Sequence, residues 1–443
     1  MNINARKLCA DVLLSVYNNN SYLSETLSSL RKKYDISPID MRFINEVTHG
    51  VMKYKIRIDY IISKNSSLRL KKISQYILCI LECAVYQIIF MDRVPNEAAV
   101  DEAVKLVKEI GQNRACGFVN AVLRSISSNG GNVSYPENEI ENFSTYCSIP
   151  LWLAKRWENQ FGMEEAKKIA KSLLNKGELM LRCNTLKTSP EVLIESLNGH
   201  GINAKVHNNQ MTDIGYMIEC SNINNLEKLP EFENGHFYVQ DFAAALTVEV
   251  LAPKSGETVI DMCAAPGGKT THIAEKMGNN GKVIAFDIHE HKLKRINQNA
   301  KRLGIDIICA SASDGTMLRE EYRGVADRVL VDAPCSGLGV LRKKPDIKYF
   351  RKEEDISELS KTGLSILENA SKYLKCGGIL VYSTCTIDPC ENEDVTKEFL
   401  SNHPDFCLEP IKEYNKDNDG CLTLYPHTDG CDGFYICKMK KIR

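Results

Sequence analysis

Apolar residues recur at helical spacing through the first third of the chain. Leu8, Val12 and Val16 follow one another at intervals of four residues, which places their side chains on one face of an α-helix. Pro38 stands where a helix is expected to begin, because the first helical turn tolerates proline. Residues 1–130 are therefore predicted to form an all-α N-terminal domain.

The pattern changes after residues 127–136 (SSNGGNVSYP), whose Asn, Gly and Pro content indicates a linker. A helical piece is predicted at 140–175, followed by three strand-like runs and one helix. The strand-like runs are 179–183, 204–206 and 215–220, and the helix is 190–197. We interpret 140–235 as linker helices plus a small α+β module that binds RNA. Its Arg182-Cys183-Asn184-Thr185 string favours an RNA contact or a structural role equally.

From residue 236 onward, strand, loop and helix alternate. Strands are predicted at 258–262, 282–287, 306–310, 328–332 and 378–383, with amphipathic helices such as 292–303 and 353–374 between them. This alternation is typical of a mostly parallel, doubly wound sheet. Two further runs, 422–425 and 433–440, predict a terminal hairpin that adds an antiparallel strand. The sequence thus predicts a multidomain protein with a C-terminal α/β domain over 236–443.

Charge is unevenly distributed along the chain. The 443 residues carry a formal net charge of -1, yet residues 1–135 contain 18 Lys+Arg against 12 Asp+Glu, a net of +6. A basic helical third suits a nucleic-acid backbone. An ordinary solvated surface explains the same charge equally well.

The 17 cysteines do not indicate a disulfide scaffold in a chain of this length. No leader segment and no apolar run long enough to cross a membrane is expected. We therefore predict a cytoplasmic protein with no membrane partner. Cys79 and Cys83 lack a second pair of ligands at zinc spacing, so no metal site is predicted.

A glycine turn follows the first strand of the C-terminal domain, at residues 261–270 (DMCAAPGGKT). Gly267 and Gly268 let the backbone approach a ligand closely. Asp287, nineteen residues after Gly268, is placed to accept hydrogen bonds from ribose hydroxyls. Asp314 is placed to accept from an adenine amine, or else to cap a loop. Pyrophosphate-binding spacings are absent from the turn, so the predicted cofactor is S-adenosyl-L-methionine.

Two cysteine strings, 332–337 (DAPCSG) and 382–386 (YSTCT), each follow a predicted strand. Methylating carbon 5 of a pyrimidine needs covalent catalysis, in which a thiolate adds to carbon 6. Cys385, Asp332 and Cys335 together offer a thiolate, an acid for the base edge and a proton acceptor. Because the target carbon lies within a stacked base, the nucleotide must be exposed or flipped.

These strings resemble a known family. Residues 236–443 are similar to the RNA cytosine-5 methyltransferases of the Nol1/Nop2/Sun group, which implies a Rossmann-like methyltransferase domain. The matching strings, in order, are 239–241 (VQD), 261–270, 332–337, 342–348 (RKKPDIK), 382–386, 391–393 (ENE) and 432–434 (DGF). Tyr349, Phe242 and Thr386 depart from the usual pattern without removing a group that the chemistry needs.

The resemblance implies a role for each site residue. Cys385 is the implied nucleophile, Cys335 assists release of the product, and Asp332 faces both the cofactor and the base. The implied cofactor contacts are Cys263, Ala264, Ala265, Pro266, Gly267, Gly268, Lys269, Asp287, Asp314 and Asp332.

Three N-terminal strings resemble the fold of the antitermination factor NusB, a helical RNA-binding module: 40–46 (DMRFINE), 94–100 (VPNEAAV) and 118–124 (FVNAVLR). That fold joined to this methyltransferase is similar to the bacterial enzyme that acts on 16S ribosomal RNA. We therefore expect a monomer that methylates unassembled or partly assembled 16S ribosomal RNA. Transfer RNA methylation and a non-catalytic role in ribosome assembly are the alternatives.

Overall fold

The structure is a computed structural model that describes residues 4–175, 177–208, 211–212, 214–223 and 226–443. The chain divides into two compact units. The first comprises residues 1–176 together with 341–351, and the second comprises 177–340 and 352–443. An eleven-residue stretch from the C-terminal half of the sequence is thus part of the N-terminal unit.

The α-helices of the described residues are numbered in chain order. They are α1 (Ala5–Asn19), α2 (Leu23–Lys33), α3 (Pro38–Asn65), α4 (Gln75–Phe90), α5 (Asn96–Glu109), α6 (Cys116–Asn129), α7 (Glu139–Cys147), α8 (Leu151–Phe161), α9 (Met163–Leu174), α10 (Pro190–Gly199), α11 (Pro230–Glu233), α12 (Phe242–Leu251), α13 (Gly268–Lys276), α14 (Glu290–Leu303), α15 (Ile347–Phe350), α16 (Glu353–Tyr373) and α17 (Glu393–Asn402).

The strands are β1 (Leu179–Cys183), β2 (Asn203–Val206), β3 (Met217–Ser221), β4 (Phe237–Val239), β5 (Thr258–Asp261), β6 (Lys282–Asp287), β7 (Ile308–Ala312), β8 (Ala326–Asp332), β9 (Leu374–Thr384), β10 (Phe406–Leu408), β11 (Cys421–Leu424) and β12 (Phe434–Lys441). They build two sheets among the described residues. The smaller has the order β2-β3-β1-β4, and the larger has the order β10-β12-β9-β8-β5-β6-β7, with β11 paired to β12.

In the first unit, α1 to α6 surround a single apolar core. The predicted spacing is confirmed there, since Val12, Leu13 and Val16 are almost completely buried. Tyr349 and Phe350 of the 341–351 stretch pack against the same core. The Nζ of Lys348 donates to two backbone oxygens, those of Lys53 at 2.9 Å and Ser148 at 2.5 Å. Burial and the nearby Lys53 lower the pKa of Lys348 to about 7.

In the second unit, helices cover both faces of the larger sheet. Val259 packs with α12 and α13, whereas its neighbour Ile260 packs with α16 and α17 on the opposite face. Val283 and Ile284 divide between the faces in the same way. Successive strand residues point to opposite faces, so a strand buried on both sides reads as a continuous apolar run. This run explains why the sequence predicts these strands well.

The larger sheet confirms the predicted fold class. β7, β6, β5, β8 and β9 are mutually parallel, and β12 joins β9 antiparallel as the second strand of a hairpin with β11. The three-residue strands β4 and β10 were not predicted, because three residues show no period. β4 pairs with β1 in the smaller sheet.

Among the described residues, the helices lack any segment that combines the length and the apolar character needed to cross a membrane.

Candidate active site

The predicted site residues lie at one edge of the larger sheet. Parallel strands end at the same edge, which is where ligands bind in open α/β sheets. β5 ends at Asp261, β6 at Asp287 and β8 at Asp332, and β9 ends one residue before Cys385. In the strand order β9-β8-β5-β6-β7, the cysteine loops lie on one side of the glycine turn and Asp287 and Asp314 lie on the other.

The two cysteines of the predicted pair are in direct contact. The sulfur atoms of Cys335 and Cys385 are 3.3 Å apart, and both residues are partly exposed. The hydrogen bond to Cys385 and burial raise the pKa of Cys335 well above the ordinary value of a thiol. The raised pKa favours the protonated form of Cys335, whose thiol lies within hydrogen-bonding distance of the Cys385 sulfur.

Asp332 is held by two side-chain hydrogen bonds. Lys269 Nζ donates to its Oδ2 at 2.7 Å, and Ser383 Oγ donates to its Oδ1 at 2.9 Å. Burial alone would lower the pKa of Lys269, but the charge and hydrogen bond of Asp332 outweigh burial and raise it. The Lys269 ammonium also lies 5.1 Å from the centroid of the Phe434 ring. These two donors thus hold the Asp332 side chain in a fixed position beside the cysteine loop.

The glycine turn connects β5 to α13. Gly267 has a φ of +100°, a conformation that L side chains rarely adopt. A Cβ atom on Gly267 would also lie 3.2 Å from the Cα of Ile296, and one on Gly268 would lie 3.1 Å from the Tyr238 ring. A Cβ atom at either position would therefore crowd a close neighbour, and at Gly267 the backbone conformation disfavours a side chain as well. The helix after the turn begins at Gly268.

Asp287 supports the turn from the end of β6. Its carboxylate accepts hydrogen bonds from the backbone N–H groups of Ala265 at 3.1 Å and His289 at 2.9 Å, one on each oxygen. Each oxygen keeps a further lone pair for another donor. The structure thus places Asp287 at the end of β6, and its ribose contact stays a prediction.

Asp314 is exposed and forms a local turn. The backbone N–H and the hydroxyl of Thr316 both donate to its Oδ1, at 2.9 and 2.7 Å. The Thr316 hydroxyl and then its N–H hold the pKa of Asp314 below the ordinary value. This is the loop-capping geometry that the sequence left open as the alternative to an adenine contact. Both donors occupy Oδ1, which leaves Oδ2 for a ligand.

The other predicted cofactor residues differ in accessibility. Ala264 is buried, and its N–H donates to the backbone oxygen of Phe286 at 2.8 Å. Burial and several neighbouring carboxylates, with Asp261 first among them, raise the pKa of Cys263 well above the ordinary thiol value. Cys263 is therefore a neutral residue of the turn. Pro266 follows Ala265 through a cis peptide bond.

Three further residues support the site, and none of them is predicted from the sequence to act in catalysis or cofactor binding. Asp261 accepts a hydrogen bond from Thr270 Oγ1 at 2.7 Å and thereby ties the end of β5 to α13. Glu391 accepts from Ser336, the neighbour of Cys335. Burial, together with the charge of Asp388, raises the pKa of Glu391 to about 7 despite the Ser336 donors.

Arg182 is the third of these residues and is completely buried. Its guanidinium bonds both oxygens of Glu275, at 2.8 and 2.9 Å, and the backbone oxygen of Gly268 at 2.8 Å. Because Arg182 is buried, the structure favours the structural role over the RNA contact. The sequence signal for this role is an arginine within an apolar strand. Such an arginine is expected to be buried, and a buried arginine needs a charged partner.

The edge therefore fits a nucleoside-type cofactor. At Gly267 and Gly268 no side chain blocks the approach of a ligand to the turn backbone. Asp287 ends β6 and Asp314 follows β7, and both carboxylates can accept further hydrogen bonds. Carboxylates at these positions accept from ribose hydroxyls and from an amine, and the turn lacks a pyrophosphate cradle.

Comparisons with known families agree with this architecture. The profile described as 16S rRNA methyltransferase RsmB/F matches residues 248–440. The NusB family profile matches residues 3–128, and a ferredoxin-like domain of RsmF/B-like methyltransferases matches residues 149–213.

Similar proteins cover the whole chain. A protein of Bacillus subtilis named probable ribosomal RNA small subunit methyltransferase B is 37% identical over 98% of both chains. Ribosomal RNA small subunit methyltransferase B of Vibrio vulnificus is 33% identical over 99% of this chain and 100% of its own. The solved structure of PH0851 superposes over 100% of both chains with a TM-score of 0.84 at 28% identity.

A methyltransferase homologue from Pyrococcus horikoshii is 31% identical over 69% of this chain and all of its own, with a TM-score of 0.60. Full-length relatives above 30% identity, together with matching profiles in all three regions, show one common architecture. This chain belongs to the RsmB/F family of ribosomal RNA small subunit methyltransferases.

Proposed function

We propose that this protein transfers a methyl group from S-adenosyl-L-methionine to carbon 5 of a cytosine in 16S ribosomal RNA. The observation that carries the proposal is the pair of sulfur atoms 3.3 Å apart, in the loops that follow the neighbouring strands β8 and β9. The names of the relatives support a substrate in the small ribosomal subunit. Cys385 is the proposed nucleophile, and Cys335 and Asp332 assist it.

The proposed cofactor residues are those of the glycine turn, Asp287 and Asp314, with Asp332 at the border towards the base. When bound, S-adenosylmethionine supplies an electrophilic methyl group for carbon 5. A related structure, NSun6 from Pyrococcus horikoshii, was solved with the S-adenosylmethionine analogue SFG (27% identity, TM-score 0.56, 65% of this chain and 97% of that chain). This supports the same class of cofactor here.

In the first proposed step, the Cys385 thiolate adds to carbon 6 of the cytosine. A carbon–sulfur bond forms, and the π electron pair of the 5,6 double bond moves onto carbon 5 and the conjugated ring atoms, which makes carbon 5 nucleophilic. Asp332, held by Lys269 and Ser383, is the group proposed to face the base edge.

After methylation, the proton on carbon 5 must be removed. A base accepts it, the C–H electron pair restores the double bond, and the bond from carbon 6 to Cys385 breaks with the sulfur leaving as a thiolate. We assign the base to Cys335. A Cys385 sulfur bonded to carbon no longer pairs with the Cys335 thiol, which removes the hydrogen bond that is the first cause of the raised pKa of Cys335, although burial still raises it. We propose that Cys335 then gives its own proton to water before it accepts the proton of carbon 5.

The test uses Cys385→Ala, Cys335→Ala and, as a matched control, Cys376→Ala, which changes an exposed thiol on β9, the strand that precedes Cys385. Tritiated methyl incorporation is measured on undermodified 16S ribosomal RNA and on transfer RNA. Cys385→Ala is expected to abolish incorporation while binding the cofactor normally, and Cys335→Ala to accumulate an RNA adduct that survives denaturing electrophoresis.

Full activity of Cys385→Ala would contradict the nucleophile assignment. Normal turnover of Cys335→Ala without an adduct would contradict its role in release. Incorporation into transfer RNA alone would show that the protein carries out the same reaction on transfer RNA. No incorporation by the wild-type protein into either RNA would favour a non-catalytic assembly factor.

The NusB-like unit is proposed to contact the ribosomal RNA. Support comes from the NusB family match to residues 3–128 and from the excess of Lys and Arg in residues 1–135. The cytoplasm stays the predicted compartment, because ribosomal RNA is the proposed substrate.

A further inference from the structure

The proposed reaction assigns no role to the 391–393 string. The first residue of this string, Glu391, is an ionisable side chain in the protein interior. Glu391 is 1% exposed. An isolated buried carboxylate is strongly unfavourable unless donors compensate it. The donors that Glu391 uses therefore show what the residue holds in place.

Both carboxylate oxygens of Glu391 are engaged by one residue. The backbone N–H of Ser336 donates to Oε1 at 2.7 Å, and the Ser336 hydroxyl donates to Oε2 at 2.5 Å. The Ser336 hydroxyl also lies 3.0 Å from the hydroxyl of Thr386. Ser336 directly follows Cys335 and Thr386 directly follows Cys385. Glu391 thus fixes the first cysteine loop at a point that touches the second.

The residues around Glu391 are themselves anchored to β9. The Tyr382 hydroxyl donates to the backbone oxygen of Glu391 at 2.8 Å. Asn392 accepts from Thr384 Oγ1 at 2.5 Å and donates from Nδ2 to the backbone oxygen of Thr386 at 3.1 Å. Both neighbours of the second cysteine are therefore bound by Asn392, while the side chain of Glu391 reaches across to the first loop.

We propose that Glu391 is a positioning residue that sets the distance between Cys335 and Cys385 by holding Ser336, so that product release depends on it. This inference rests on the proposed function, in which Cys335 acts after methyl transfer. Cys385 directly follows β9, and Asn392 bonds both of its neighbours, Thr384 and Thr386, so its placement depends less on the carboxylate of Glu391. Removal of the Glu391 carboxylate takes away both hydrogen bonds of Ser336 and a weaker contact with Thr386, whose loop Asn392 still holds.

A carboxylate suits this task better than an amide. Ser336 presents two donors, and a carboxylate accepts both, whereas the amide of glutamine offers one acceptor and one donor group. In Glu391→Gln the Ser336 hydroxyl can reverse, accept from the amide and donate to Thr386. The glutamine variant therefore keeps part of the contact with Ser336, and the alanine variant keeps none of it.

The experiment compares Glu391→Ala, Glu391→Gln and Ser336→Ala with wild type and Cys335→Ala on 16S ribosomal RNA. Single-turnover methyl transfer, multiple-turnover rate and denaturant-resistant adduct are measured separately, with cofactor affinity measured by calorimetry. Glu391→Ala is expected to lose about 10²-fold in multiple turnover, the order of effect that a misplacement of about 1 Å produces. It should keep single-turnover transfer and cofactor affinity, and it should accumulate adduct as Cys335→Ala does.

Glu391→Gln and Ser336→Ala are expected to lie between Glu391→Ala and wild type. Glu393→Gln is the matched control: this neighbour accepts from Thr423 at 2.9 Å and bonds neither cysteine loop. If Glu391→Ala does not fold, the glutamine and serine variants decide the question in the same assays.

Equal losses of single and multiple turnover, or normal turnover without adduct, in the folded Glu391 variants would overturn the positioning role. In both cases the wild type still methylates and Cys335→Ala still traps its adduct. If the wild type does not methylate and Cys335→Ala traps no adduct, the proposed function itself is wrong.

Discussion

Asp261 illustrates how burial changes the pKa of a single side chain at the start of the glycine turn. It is 1% exposed, and burial is the largest cause that raises its pKa to about 7, with the Asp332 charge adding to it and the Thr270 hydrogen bond opposing it. The carboxyl group therefore holds its proton more tightly in the folded protein than in the unfolded chain.

The sign of the resulting pH effect follows from proton binding. From the ordinary pKa of 3.8 up to about 7, the unfolded chain has lost this proton and the folded protein keeps it. Ionisation therefore favours the unfolded chain, and the contribution of Asp261 to stability falls as pH rises through this window. Above pH 7 both states are ionised, and the contribution stays constant.

We predict that Asp261→Asn, which cannot ionise and keeps an acceptor for Thr270, gains stability relative to wild type as pH rises from about 4 to about 7. Urea unfolding of both proteins at several pH values measures the difference. Parallel stability curves for the two proteins across this range would show that Asp261 does not titrate there.

At the scale of elements, Arg182 joins β1 of the small module to α13, the helix that begins at the glycine turn. The pair with Glu275 is fully buried, with side-chain exposures of 0% and 3%. The Tyr238 ring covers the guanidinium, with its centroid 5.2 Å away. The small module and the helix that follows the glycine turn are thus held together by a desolvated ion pair.

Removing one partner of such a pair leaves a buried charge. We predict that Arg182→Met costs about 3–5 kcal/mol of unfolding free energy, the range typical of a broken buried pair. The double variant Arg182→Met, Glu275→Leu is expected to be more stable than Arg182→Met alone, because no unpaired charge remains. Denaturant unfolding followed by circular dichroism compares the three proteins.

The same variants should separate stability from cofactor binding. Both lose the hydrogen bond from Arg182 to the backbone oxygen of Gly268. Calorimetry should therefore show weaker S-adenosylmethionine binding in both variants, even where the double variant recovers its stability. A double variant no more stable than the single one would contradict the ion-pair explanation.

At the scale of the whole molecule, the 341–351 stretch is part of the helical unit. Leu341 and Ile347 are 3% and 8% exposed, and the N–H of Leu23 donates to Asp346 at 2.8 Å. The 342–348 string belongs by resemblance to the methyltransferase domain, yet its burial depends on helices hundreds of residues away in sequence.

We predict that a chain lacking residues 1–176 loses amide protection across 341–351, because the apolar residues of that stretch have lost their packing partners. Strands such as β5 and β6 should keep their protection, since their pairing partners all remain. Hydrogen exchange followed by mass spectrometry resolves the two regions. Unchanged protection of 341–351 would show that the stretch folds without the helical unit.

Local pattern was sufficient for much of the fold. The predicted strand 282–287 agrees with the structure to the residue, because a buried parallel strand is a continuous apolar run ending in a polar group. The strand predicted at 306–310 lies two residues later. The four-stranded module includes β4, whose three residues have no period of their own and form a strand only by pairing with β1.

The sequence by itself determined the order of elements, the fold class and the chemistry available at the strand ends, because residue type and spacing are local properties. Only the tertiary structure decided which side chains share a proton or a charge: Cys335 with Cys385, Glu391 with Ser336, and Arg182 with Glu275. These partners are 50, 55 and 93 residues apart. Their contacts exist because the sheet brings distant strand ends together and burial removes the water that would otherwise solvate them.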